Sequence, residues 1–251
     1  MRLAMNNPYL RRVLLALALL LIPAVMAGCS LFGRDEAGPL VEDIPYVDGG
    51  HYGYEVQNQQ GEAIGEAEFV TTRTELEGDP VWAIETSTDI PGSVKEATVV
   101  YTDPQTLSPL RFEGTVEVPQ GTYEITAVYG EEEISIEAET PQGPQSIKRP
   151  RPSSPFDNDQ LLMLIRALPL EDGYSTKLNV VLPKNANRTS VTVKVVGQET
   201  VTAAAGEFDT WKVELSFTSG SQHVWYAVGG SRPMVKYDNG NTIFVLRDMT
   251  E

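Results

Sequence analysis

Cys29, His51 and His223 are the side chains from which nucleophilic, general-base or soft-metal chemistry would have to be built, because the 251 residues hold one cysteine and two histidines. One thiol excludes an internal disulfide framework, and two imidazoles exclude a histidine-rich metal site. No Gly-x-Ser-x-Gly elbow is present to expose a serine nucleophile, and no glycine-rich loop follows a strand to cradle phosphates. His223 lies in Gln222-His223-Val224-Trp225-Tyr226, where alternation puts it on the face of Trp225. A strand histidine beside an indole packs more often than it reacts. Glu131-Glu132-Glu133 concentrates charge, but consecutive residues of a turn point different ways, whereas calcium loops space their ligands. Asp238-Asn239-Gly240-Asn241 lacks the bidentate Glu of such loops and reads as a tight turn. The expectation is a non-enzyme with no catalytic residue, no metal and no cofactor.

Cys29 has a different use, set by what precedes it. Arg2, Arg11 and Arg12 make a positive start, and Val13 to Met26 follows as an uncharged, Leu- and Ala-rich run. That run is shorter than the roughly 20 apolar residues of a spanning helix and matches the apolar region of a signal peptide. Pro23 interrupts it near its end. Met26-Ala27-Gly28-Cys29 then resembles the lipobox of bacterial lipoproteins, although Leu is commoner than Met at its first position. The resemblance implies cleavage before Cys29 and acylation of its thiol, so residues 1–28 are expected to be a signal peptide. Two or three acyl chains hold a protein firmly on a bilayer, at about 0.8 kcal/mol per buried CH₂. The expected partner is therefore a membrane, met through the lipid, on the extracytoplasmic side or cell surface.

The chain carries 19 basic against 35 acidic residues, a net charge of −16. Three of the basic residues and none of the acids lie in residues 1–28, so the remainder carries −19. Such a body is repelled by nucleic acid, which is excluded as a partner. Hydrophobic residues at 41%, with three Trp, ten Tyr and seven Phe, still suffice for a core. Residues 29–50 hold Gly, Pro and acids without hydrophobic period and read as a tether, with Leu40, Val41 and Ile44 free to dock on the body or not.

From His51 onward the elements are strands, and residues 51–251 are expected to form one β-rich domain. In Thr122 to Tyr129, Tyr123, Ile125, Ala127 and Tyr129 share one face against Thr122, Glu124 and Thr126. Glu133 to Ala138 repeats the pattern across Gly130-Glu131, which predicts a hairpin. Val94–Tyr101, Thr189–Val196, Tyr52–Gln57, Ala63–Thr74, Val81–Thr88 and Leu110–Glu117 behave similarly, as do Thr176–Leu182, Asp209–Phe217, Gln222–Ala227, Met234–Tyr237 and Thr242–Leu246. Gln222–Ala227 and Thr242–Leu246 are apolar on both faces and are expected to be covered on both. This is an all-β, mainly antiparallel class: a large curved sheet, half-barrel or barrel-like. Prolines 141, 144, 150, 152 and 155 break it, since proline fits neither a helix interior nor a central strand. One helix is predicted over Asn158 to Leu168, with Asp157 as N-cap and Leu161, Leu164, Ile165 and Leu168 as an apolar stripe. It is expected to plug a face or mouth of the sheet.

Leu161-Leu162-Met163-Leu164-Ile165-Arg166-Ala167-Leu168-Pro169-Leu170 with Asp172-Gly173-Tyr174 carries a resemblance, joined by Gly206-Glu207-Phe208-Asp209-Thr210-Trp211-Lys212-Val213-Glu214-Leu215, Trp225-Tyr226 and Pro233-Met234-Val235-Lys236-Tyr237. Phe156 to Met249 is thereby similar to a family of bacterial periplasmic and lipoprotein domains of unknown function. Those domains are β-rich and similar in outline to half-barrel lipoprotein carriers and lipid-binding lipoproteins of mycobacteria. The resemblance implies fold but no site. From the residues themselves, Trp211, Trp225, Tyr226, Tyr237, Leu161 and Leu164 are candidates to line an apolar pocket under the helix, or else are plain core. The leading expectation is a binding protein for a hydrophobic ligand, a lipid or a lipoprotein, whose head the acidic surface requires to be neutral, cationic or kept outside. The runner-up is a scaffold with a solid core and an envelope protein as partner.

Overall fold

In the computed structural model, which describes residue 41 and residues 43–251, alternation becomes one continuous sheet. Eight strands form a meander: β1 (Gly50–Asn58), β2 (Ala63–Leu76), β3 (Asp79–Ile90), β4 (Val94–Thr102), β5 (Pro109–Val118), β6 (Gly121–Tyr129), β7 (Glu133–Glu139) and β8 (Gln145–Pro150). A short β9 (Pro155–Asp157), a helix α1 (Leu161–Leu164) and a 3-10 turn (Ile165–Ala167) lead to a second meander. This consists of β10 (Ser175–Leu182), β11 (Asn187–Ala203), β12 (Gly206–Phe217), β13 (Gly220–Ala227), β14 (Met234–Asp238) and β15 (Thr242–Thr250). The two meanders join through antiparallel pairing of β1 with β15, and only β9, parallel to β10, departs from antiparallel order among the described residues.

The prolines decide where the sheet stops. β8 and β9 were not expected as strands, and both sit at the outer edges, β8 at one end of the order and β9 at the other. An edge strand leaves one row of backbone groups unpaired, so Pro150 and Pro155 remove no ladder hydrogen bond the sheet needs. The same prolines shield the edges from pairing with another chain. At Asp238-Asn239-Gly240-Asn241, Gly240 has φ 85° and Asn239 Oδ1 accepts from the Asn241 and Thr242 amides, the tight turn expected there. β6 and β7 form the expected hairpin.

The sheet curls until its two edges meet without pairing. β8 reaches the β10–β11 corner, where Arg149 Nε donates to the Ala186 carbonyl at 3.0 Å. Inside the curl, Leu161, Met163, Leu164, Ile165 and Leu168 bury against Tyr52, Tyr54, Val56, Val191, Val193, Val213 and Tyr226 from both meanders. A second cluster, Val100, Phe112, Ile125, Ala127, Ile134 and Ile136, closes on Val181 and Ala186 across the seam.

Three expectations change. The helical stretch is one α-turn followed by a 3-10 turn rather than eleven residues from Asn158, because Leu168 turns extended ahead of Pro169. Asp157 ends β9 and is no N-cap: Gln160 occupies that position without a side-chain cap, while Asp157 Oδ1 accepts the Asp159 amide. The packed body also begins before His51. Val41 and Ile44 lie against the core, and Tyr46, 8% exposed, meets the Trp82 ring edge-on at 5.5 Å. The expected signal peptide, Cys29 and the first part of the expected tether lie outside the described residues.

Candidate functional site

Leu161, Leu164 and Tyr226 are brought together in the interior, where the Tyr226 hydroxyl donates to the Leu162 carbonyl at 2.6 Å. Trp211, opposite Tyr226 in the β12–β13 ladder, and Tyr237 pack at the margin of the same cluster, Tyr237 edge-on to Phe244. Trp225 is not with them. It points from the other face of β13, beside His223 as alternation predicts, with Lys212 and Lys236 over its ring at 5.0 and 4.8 Å. Long lysine side chains and Glu199, which accepts from the indole Nε1, thus cover that face of β13 where a helix or loop was expected. His223 lies 3.8 Å from Glu214 and His51 3.7 Å from Glu68, on β13 and β1, which β14 and β15 separate in the sheet order.

The space under the helix is filled by protein, and its polar centre is Arg166. This fully buried guanidinium lies over the rings of Tyr52 (4.5 Å) and Tyr46 (5.5 Å). It donates to the Ser231 carbonyl at 3.0 Å and to the Tyr52 hydroxyl at 2.8 Å, and the Glu251 carboxylate accepts in turn from Ser231. The hydroxyls of Tyr46 and Tyr54 are buried beside it without a hydrogen-bond partner among the described residues, and burial pushes both far above the usual phenol range. Rings and carbonyls therefore hold this charge in place of a directly paired carboxylate.

At the seam, side chains from opposite edges interlock. Asp157 is fully buried, and the Tyr129 hydroxyl donates to its Oδ2 at 2.5 Å. Lys184 donates to Asp159 and Glu96, both at 2.6 Å, so one ammonium ties β4 to the α1 approach. Burial, reinforced by the neighbouring Asp159, pushes the Asp157 carboxyl up to about 8, against the Tyr129 and Asp159 hydrogen bonds and the Lys184 charge. Burial also raises Asp159, and the two carboxylates leave Lys184 raised despite its own burial. With no accessible face, Asp157 joins the edges. Among the described residues no group of His, Cys, Asp or Glu is arranged to hold a metal ion.

Beside this lock the seam opens as a cleft of about 290 Å³, floored by Ile134, Val181 and Ala186 and rimmed by Arg149 and Arg188. That is the low end of the ~300–1,000 Å³ of ligand pockets. Reading the chain in order could not assemble it, since its two walls are about 40 residues apart. A signal did exist: Lys148, Arg149 and Arg151 are the densest basic stretch after residue 28 in an acidic chain.

The fold is that of the β-barrel-like proteins. Similar in structure is a β-barrel-like protein of the domain of unknown function DUF1849 from Brucella abortus, with TM-score 0.50, 11% identity, and coverage of 81% of this chain and 98% of that one. A protein of YmcC-like fold from Bacteroides fragilis, described as exported (TM-score 0.33, 12% identity, 83% and 98% covered), is more distant. So is a protein described as a lipoprotein from Parabacteroides distasonis (TM-score 0.33, 13% identity, 86% and 100% covered). No curated protein matches the chain. Residues 52–242 match the family of proteins of unknown function DUF3108, and the chain belongs to that family.

Proposed function

We propose that this protein is a lipid-anchored, extracytoplasmic binding protein without catalytic activity, and that it receives the hydrocarbon part of a ligand in the seam cleft. The seam carries this reading: a sheet of this extent fails to close, and apolar side chains from both edges line the opening. Cys29 supplies the anchor, on the strength of Met26-Ala27-Gly28-Cys29 and the signal-like run before it. A Cys29→Ala chain should take up no labelled fatty acid in growing bacteria; label retained by that variant would remove the anchor.

The ligand is tested at the cleft rim. With Cys29 acylated, an exposed Asn187→Cys carries the only free thiol, to which a polarity-sensitive dye can be attached. Titrating the full chain in maltoside micelles with palmitate, hexadecanol or lysophosphatidylcholine should shift the emission to the blue and saturate at one site. A linear, unsaturable response to all three defeats the reading. The filled interior favours a second one, a scaffold bound to an envelope protein, and that result would hand the case to it. The exposed large apolar residues Val128, Val196, Val228 and Met249 come from four separate parts of the chain.

A further inference from the structure

The clefts of the described body differ in charge. Three of them, of 270, 410 and 340 Å³, have carboxylates in excess in their linings: Asp89 and Glu117 with Lys95; Glu124, Glu137 and Glu139; and Glu55, Glu66 and Asp89 with Arg247. In a chain of net charge −16 this is the ordinary outcome. The seam cleft has no carboxylate in its lining and two arginines.

Among the described residues neither arginine pairs with a carboxylate. Elsewhere Arg111, Lys148, Lys184, Lys212 and Arg247 each lie within ion-pair distance of a carboxylate. The Arg188 side chain makes no ion pair, hydrogen bond or ring contact among the described residues. Arg149 Nε donates to the Ala186 carbonyl, which fixes its fork at the rim and leaves the terminal amino groups without a partner among the described residues. A guanidinium is planar, always charged and shaped to take a carboxylate or phosphate through two parallel hydrogen bonds. Two of them above an apolar floor suit a molecule with an anionic head and a hydrocarbon tail.

Resting on the seam-binding reading above, the geometry points to a carboxylate- or phosphate-headed amphiphile as the ligand class. Its tail lies on Ile134, Val181 and Ala186, and its head lies between Arg149 and Arg188. The acidic surface does not forbid this. At physiological ionic strength charges are screened beyond ~8 Å, so the nearest arginines outweigh distant carboxylates. This differs from the expectation, drawn from net charge, of a head that is neutral, cationic or kept outside, because two arginines line this cleft.

Photoactivatable palmitate and photoactivatable hexadecanol, applied to the full chain in maltoside micelles and mapped by peptide mass spectrometry, test the head separately from the tail. Both probes should label residues 134–152 and 181–188. The Arg149→Gln/Arg188→Gln variant should lose about tenfold in palmitate labelling, the scale of one charge-assisted bidentate pair, and keep hexadecanol labelling within about twofold. Excess hexadecyl phosphate should displace palmitate, whereas inorganic phosphate should not. If palmitate and hexadecanol label the seam equally in both chains, the anionic head is wrong and the seam still binds tails. If neither labels it, the seam reading falls and takes this inference with it. Displacement by inorganic phosphate alone would make the site one for free phosphate and overturn the amphiphile.

Discussion

A Leu164→Asp chain is expected to lose its folded body. Leu164 is fully buried at the centre of the cluster where both meanders meet the helix, so no rearrangement of one hairpin brings position 164 to water. The substitution removes a leucine, worth about 2–5 kcal/mol as a truncation, and adds a carboxylate whose unpaired burial costs several kcal/mol more. Domain stabilities of about 5–15 kcal/mol leave little after that. Arg166, two residues on, offers no rescue, because Ser231, Tyr52 and Tyr46 already engage its guanidinium. Circular dichroism and thermal melting decide the matter, with Leu164→Ala as the milder companion: it should melt cooperatively at a lower temperature. A Leu164→Asp chain melting near wild type would mean that the helix stripe faces solvent or a partner.

The second large effect is a dependence of stability on pH written into the seam. The groups facing Asp157 are Tyr129 from β6, Asp159 on the approach to α1, and beyond them Lys184 and Glu96. Its carboxyl is raised from 3.8 to about 8, chiefly by burial, so between those values the folded protein holds a proton that the unfolded chain has released. The resulting stabilisation is complete below about pH 4, falls as pH rises, and is gone above about 8. Asp157→Asn replaces the protonated acid by an amide. Its oxygen can still accept the Asp159 amide, and its nitrogen can donate to the Tyr129 oxygen. In denaturant melts from pH 5 to pH 9, the wild-type chain should lose on the order of several kcal/mol relative to the Asn variant, and the Asn variant should be the more stable at pH 9. Parallel curves for the two chains across that range would show that Asp157 does not titrate there.

The strands were legible because period two is a local property. Val191, Val193 and Val195 face inward in β11 whatever lies across from them, and the β6–β7 hairpin turns at Gly130-Glu131-Glu132 as its sequence indicates, with Arg151 donating to the Tyr129 and Gly130 carbonyls. The cover on both faces of β13 was legible too, since Val224, Trp225 and Tyr226 are all buried. Less visible was what covers them, because a lysine stem over an indole has no periodic signature. Prolines read as a break turned out to mark both edges: the sequence shows that a residue cannot donate, but not that the sheet ends there.

The candidate site lay beyond reach for a related reason. Aromatic content pointed to the helix and to Trp211, Trp225, Tyr226 and Tyr237, and the structure divides those rings between two faces over a filled interior. Arg149 and Ala186 are 37 positions apart, and Ile134 meets Val181 only because the sheet curls through its full width. The residues alone determined an acidic, strand-built chain with a lipoprotein-like start, since charge, side-chain alternation and a leading apolar run are properties of neighbours. Tertiary structure alone decided the unclosed seam, the two arginines above its apolar floor and the buried carboxyl beside it. Curvature accumulates over fifteen strands, and a local charge environment depends on which distant side chains that curvature brings together.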